Sequence, residues 1–136
     1  MKASVIRIAR FNAAHRLFKK EWTDEKNLEV FGACSHPNYH GHNYKIEVKV
    51  TGEIDEGTGF VMDLKILKAV IHEQVLERFD HRNLNLDVSE FTNLIPTAEN
   101  IAVVIYNLIK PNINPNLELH IRLSETDRNL VEFPVV

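Results

Sequence analysis

The sequence predicts an α+β fold, a β-β-α-α-β-β unit in which two helices cover one face of an antiparallel sheet. Three observations predict it. Residues 42–52, HNYKIEVKVTG, alternate strictly, with His42, Tyr44, Ile46, Val48 and Val50 on one side and Lys45, Glu47 and Lys49 on the other. Two stretches in the middle of the chain repeat apolar residues at helical spacing. Strand-like runs flank that pair on both sides.

Residues 3–13, ASVIRIARFNA, are rich in β-branched and aromatic types and read as the first strand. Residues 16–40 form a long excursion with a short helix in DEKNLEVF, and loops of that length in a small domain are often functional. After the turn EIDEGTG, Leu64, Leu67, Val70, Ile71, Val75 and Leu76 recur at helical spacing, with Asp63 placed to cap them. The second helix follows Pro96, with Thr97 as N-cap, a stripe of Ile101, Val104, Ile105 and Leu108, and Pro111 as its stop. LELHIRLSE then alternates again, and NLVEFPVV supplies a last strand, for four strands in all. In the first strand both parities are partly apolar, Ile6 and Ile8 against Val5, Ala9, Phe11 and Ala13. A strand of that kind predicts burial on two sides, hence a homo-oligomer that covers the second face or closes the sheet edges.

The chain has 136 residues, enough for one domain spanning 1–136. Its composition, 44% apolar and 26% charged, is that of an ordinary globular protein. No apolar run nears the roughly 20 residues of a membrane helix, so no membrane partner is expected. A net charge of -3 offers no general field for nucleic acid. The single cysteine excludes an intramolecular disulfide and fits a reducing compartment, which predicts the cytoplasm. Lys2, Arg7, Arg10, Arg16, Lys19 and Lys20 give the first twenty residues the charge bias of a mitochondrial presequence, but they lie largely on a strand-like run.

The stretch CSHPNYHGHNY, residues 34–44, holds that cysteine and three of the seven histidines. In an extended segment His40 and His42 project from one face about 7 Å apart, and two imidazoles that close can share one ion, zinc being the default. His15 has the parity of Phe11 and Ala13, so an antiparallel pairing of the first two strands brings it beside the pair. Three histidines without a carboxylate leave a coordination position open, as in catalytic zinc sites. Two other readings stand beside this one: histidines bonded to carbonyls at a strand entry, or a closed structural site with Cys34 as fourth ligand. If Cys34 does not bind the ion, a neighbouring cation favours its thiolate and makes it a base. Asp80 and His81 in FDHRN are then candidate partners in proton transfer, or else a helix-terminating turn. His36, His72 and His120 read as surface or packing residues.

Glu125 shares the parity of Leu117, Leu119, Ile121 and Leu123, so its carboxylate extends an apolar face and needs donors, unless the strand has already ended. Glu99 reads most simply as a first-turn acid on the helix dipole.

The motifs FNAAHRL, FGACSHPNYHGHNY, GFVMDL, DHRNLN, PTAENIAVVIY and SETDRN, in this order, closely resemble 6-pyruvoyltetrahydropterin synthase and its relative 6-carboxytetrahydropterin synthase of queuosine biosynthesis. The resemblance runs along essentially the whole chain. It implies a tunnelling fold (T-fold), whose β-β-α-α-β-β units assemble through a barrel of trimers into a hexamer, with neighbouring subunits completing each pocket. It implies that His15, His40 and His42 hold Zn2+, that Cys34 works with Asp80 and His81, and that Glu125 anchors a pterin ring. Thr97 and Glu99 fall on the stretch lining the pterin pocket. The implied substrate is 7,8-dihydroneopterin triphosphate, converted either to a pyruvoyl pterin or, with release of acetaldehyde, to a carboxypterin. Residues 24–44 resemble the animal pyruvoyl enzymes more than the shorter loop of many carboxy enzymes, although Tyr39 stands where a glycine is common. Arg16, Lys19 and Lys20 form either a solvated basic loop or an attractor for the triphosphate. A zinc hydrolase and a non-catalytic zinc scaffold are the readings from other classes.

Overall fold

In the computed structural model, which describes residues 1–135, a five-stranded sheet runs in the order β3-β1-β2-β4-β5. Its long members are β1 (Lys2–His15) and β2 (His40–Glu53), fourteen residues each, paired antiparallel from Lys2↔Glu53 to His15↔His40. Strand alternation explains the register: it places Phe11 opposite Tyr44 and Ala9 opposite Ile46, and puts all four on one face. The Phe11 and Tyr44 rings stack at 4.9 Å. β4 (Glu118–Ser124) pairs with β2, and β5 (Leu130–Phe133) with β4, both antiparallel.

The two expected helices lie on that apolar face. α2 (Leu64–Ile71) starts where the Asp63 carboxylate accepts the Lys65 N–H at 2.9 Å, and it continues through a π-helical turn, His72–Leu76, into α3 (Glu77–Phe79). α5 (Ala98–Ile109) starts at Thr97, whose hydroxyl accepts the Asn100 N–H. Leu67, Ile71, Phe79, Ile101, Ile105 and Ile109 are buried against Ile46, Val48, Val50, Ile121 and Leu123. Each such side chain contributes about 1.5–3 kcal/mol on burial, so a register slip that turned one strand over would lose the core.

The short helix expected in DEKNLEVF forms as α1 (Asp24–Phe31), capped by Thr23. Two elements depart from the expected plan. β3 (Arg82–Asn83) pairs parallel with β1 at Ala13–Ala14, so the sheet has five strands rather than four and is not wholly antiparallel. α4 (Leu84–Asp87) follows, capped by Asn83. A two-residue strand carries no readable alternation. Among the described residues no helix lies on the opposite sheet face: Ile6 and Ile8 remain 52% and 45% exposed there, on the parity of Glu47, Lys49 and Arg122. No helix among the described residues is long and apolar enough to cross a membrane.

Candidate functional site

The β1–β2 register puts His15 directly opposite His40, with His42 two residues along on the same face. The three rings approach within 4.5–5.1 Å between centroids, and their nearest nitrogens all lie within 4.8 Å of one another. The Nε2 atoms of all three are buried and lack a hydrogen-bond partner. One such atom costs about 1–3 kcal/mol, and three turned to one place point to a shared partner. A divalent cation that accepts imidazole nitrogen fits that donor set.

His15 shows how the ligand is oriented. Its Nδ1 lies 2.8 Å from the Pro96 carbonyl oxygen, which can only accept, so Nδ1 carries the proton and Nε2 keeps its lone pair for the cluster. Burial pushes the His15 pKa down to about 4, with the Pro96 bond working against it and His40 and His42 adding to it. His40 is lowered as well, first by burial and then by His42. Both imidazoles are therefore neutral near pH 7, the form that binds metal.

The remaining residues meet unequally. β4 ends at Ser124, so Glu125 is not a strand residue as its parity suggested. It is nevertheless not solvated: its side chain is 23% exposed and Oε1 lies 3.8 Å from His42 Nε2. Cys34 sits half-buried in a 3₁₀ turn, Gly32–Ser35. Burial raises the Tyr44 pKa, and the charge of Glu125 raises it further; the phenol lies 3.3 Å from His15 Nδ1. The thiol does not belong to the group of converging ligand atoms, which counts against the closed four-ligand site.

Asp80 and His81 stay apart from that group. Asp80 accepts the Asn12 N–H at 2.9 Å and lies 3.1 Å from His81 Nδ1. The Asn12 bond first, and His81 after it, hold the Asp80 carboxyl below its ordinary range. His81 has a left-handed backbone, φ 60°, and an 83% exposed side chain. Among the described residues neither bonds to Cys34. Thr97 spends its hydroxyl on the α5 cap, and Glu99 is an exposed first-turn acid. His36 and His72 are exposed, while His120 lies on the helix-free face 3.6 Å from Glu132.

A cavity of about 200 Å³ is lined among others by Phe18, Lys19, Lys20, Tyr39, Phe91 and Pro96, and it meets the histidine cluster only through Pro96, whose carbonyl holds His15, and Tyr39, which precedes His40. Tyr39 adopts φ 65°, a conformation rare for a bulky residue. Lys19 lies 4.9 Å from the Trp22 ring centroid, and the Arg16 side chain turns instead to Ser35. Sequence reading missed Pro96 and Tyr44 as supports of His15. Tyr44 was within reach, since it shares the parity of His42; a backbone carbonyl such as Pro96 has no sequence signature.

The profile of a family described as 6-pyruvoyl tetrahydropterin synthase matches residues 4–134. The 6-pyruvoyl tetrahydrobiopterin synthase of Pongo abelii is 44% identical over 132 residues, covering 97% of this chain and 91% of that protein. The Homo sapiens protein of the same name is 42% identical over the same shares. The solved structure of Caenorhabditis elegans 6-pyruvoyl tetrahydropterin synthase matches with a TM-score of 0.93 and 37% identity, covering 100% of this chain and 97% of that one.

Proposed function

Because the chain belongs to the 6-pyruvoyl tetrahydropterin synthase family, we propose that it is a zinc-dependent lyase acting on 7,8-dihydroneopterin triphosphate. The product is 6-pyruvoyltetrahydropterin, formed with elimination of triphosphate. The observation that carries this reading is the convergence of three buried, unpartnered imidazole nitrogens from His15, His40 and His42. Zinc bound there supplies a Lewis acid beside the side-chain hydroxyls of the substrate.

The protein's own groups do the rest. Glu125 accepts the amino group and the neighbouring N–H of the pterin ring, which sets the side chain over the histidines. Cys34 removes and returns protons on the side chain, with Asp80 and His81 completing the transfer. Since the dyad makes no bond to the thiol within one chain, a second copy supplies it, in a hexamer built as a dimer of trimers. The helix-free sheet face with Ile6 and Ile8 supports such an assembly. Thr97 and Glu99 line the pterin pocket. The protein works in the cytoplasm.

The test is to load the purified protein with zinc, add 7,8-dihydroneopterin triphosphate, and identify products by mass spectrometry with trapping of aldehydes. A pyruvoyl pterin and triphosphate without acetaldehyde is the expected result. A carboxypterin with acetaldehyde would move the chain to the carboxy reaction, and an unconsumed pterin would sink the reading altogether.

A further inference from the structure

We propose that Arg16 is a positioning residue for Cys34, tying the turn that carries the thiol to the strand that carries His15; this rests on the reading of Cys34 as a proton-transfer group. Cys34 belongs to the 3₁₀ turn Gly32–Ser35 between α1 and β2. None of its four residues belongs to the apolar core, and only Ser35 is buried. A cavity of about 310 Å³ opens next to it, lined among others by Arg16, Asn27, Leu28, Gly32, Ser35 and Pro37. A segment with empty space beside it has few packing contacts to hold it, so its polar ties set its position.

Two ties cross to it from the residues after His15. The Leu17 N–H donates to the Cys34 carbonyl at 2.9 Å, and Arg16 Nε donates to the Ser35 carbonyl at 2.7 Å. The turn braces itself with a third, from the Ser35 hydroxyl to the Gly32 carbonyl at 2.8 Å. Of the two crossing ties, only that of Arg16 comes from a side chain, and a donor bearing full charge makes the stronger bond.

The guanidinium is itself held. It lies 3.9 Å from the Phe18 ring centroid. The Arg16 backbone is clamped on both sides by Asn85, whose Oδ1 accepts the Arg16 N–H at 2.8 Å and whose Nδ2 donates to the Arg16 carbonyl at 2.9 Å. Among the described residues no carboxylate pairs with Arg16. Adjacent residues thus do adjacent jobs: His15 turns its Nε2 to the histidine cluster, and Arg16 fixes the turn from which the thiol must reach the same substrate. A general base has to stand within hydrogen-bond reach of its proton, and a displacement of about 1 Å costs on the order of 10²-fold in rate.

The experiment compares Arg16→Met, which keeps the apolar stem and loses the donor, with Arg16→Lys, which keeps a donor. Zinc content, kcat, KM and the rate of Cys34 alkylation by iodoacetamide are measured. Arg16→Met is expected to hold zinc like the wild type, with kcat lowered about 10- to 100-fold, KM within about threefold and an altered alkylation rate. Arg16→Lys is expected to recover much of the lost kcat. A wild-type kcat for Arg16→Met, or a loss that Arg16→Lys does not relieve, overturns the proposal. If Arg16→Met does not fold, Phe18→Leu decides: it frees the guanidinium plane and lowers kcat severalfold at unchanged zinc content, or it leaves kcat unchanged and overturns the role. Cys34→Ala separates the two levels. Full turnover by that variant removes the thiol from the reaction, whereas its inactivity beside a fully active Arg16→Met overturns only the positioning.

Discussion

The Pro96 carbonyl oxygen lies 2.8 Å from His15 Nδ1, and this contact decides which face of the imidazole is available. A carbonyl accepts and never donates, so the bond selects the tautomer with a bare Nε2. Pro96 directly precedes Thr97, the cap of α5, so the start of that helix and the orientation of a β1 histidine are one construction.

Replacing any one of His15, His40 and His42 with alanine should reduce bound zinc from about one ion per chain to a small fraction, because two imidazoles alone do not hold zinc stably. His42→Ala is the cleanest test, since His42 is only partly buried and makes no hydrogen bond that the fold needs. Elemental analysis after dialysis reads the result. Full zinc content in His42→Ala would show that the ion sits elsewhere.

Stability of the metal-free protein should fall as pH falls through the window set by His15. Its pKa is about 4 when folded against an ordinary 6.5. Between those values the unfolded chain binds the proton that the folded chain refuses, so stability is fully present above pH 6.5 and declines toward pH 4. At about 1.4 kcal/mol per pH unit this amounts to about 3 kcal/mol, and His40, lowered in the same direction, adds to it. Urea midpoints of the apo protein at pH 7 and pH 5 check the sign. A midpoint that does not move would mean that the imidazole is not buried as described.

Glu125→Gln should weaken substrate binding without stripping the metal. The carboxylate is 3.8 Å from His42 Nε2 and does not belong to the converging ligand set, so zinc content should stay near that of the wild type. Losing an acceptor for two ring N–H groups costs about 1.5–3 kcal/mol, a rise in KM of roughly ten- to hundredfold. Steady-state kinetics on 7,8-dihydroneopterin triphosphate measure it; an unchanged KM would remove Glu125 from the pterin site.

The cluster was legible because a strand has a period of two: His40, His42 and Tyr44 share a face by counting alone. His15 needed one further step, the antiparallel pairing, and the register delivers it. Helix starts at Asp63 and Thr97 were legible for a similar reason, since a cap acts within three residues of its own position. What escaped was long-range or carried by the backbone. The Pro96 carbonyl, the clamp of Asn85 on Arg16 and the parallel pairing of Arg82–Asn83 join segments far apart in sequence without any periodic pattern. Glu125 shows the limit of parity: the strand stops one residue earlier, and the chain still leaves the carboxylate near His42.

Among the described residues neither Asp80 nor His81 bonds to Cys34, and this leads to the last prediction. Asp80 is held at the β3 edge by the Asn12 N–H, while Cys34 hangs from the segment after His15. If the thiol and the dyad meet only between copies, Cys34→Ala and Asp80→Asn proteins are each inactive alone but complement each other when mixed. In a randomly mixed oligomer a pocket works when its thiol comes from an Asp80→Asn copy and its dyad from a Cys34→Ala copy, which holds for about one pocket in four. Co-expression with two different affinity tags, followed by tandem purification, isolates the mixed species for assay. Recovered turnover near that fraction supports a pocket shared between copies. A mixed oligomer as inactive as its parents would instead require both groups to act within one chain, and Asp80 would have to leave Asn12 to do so.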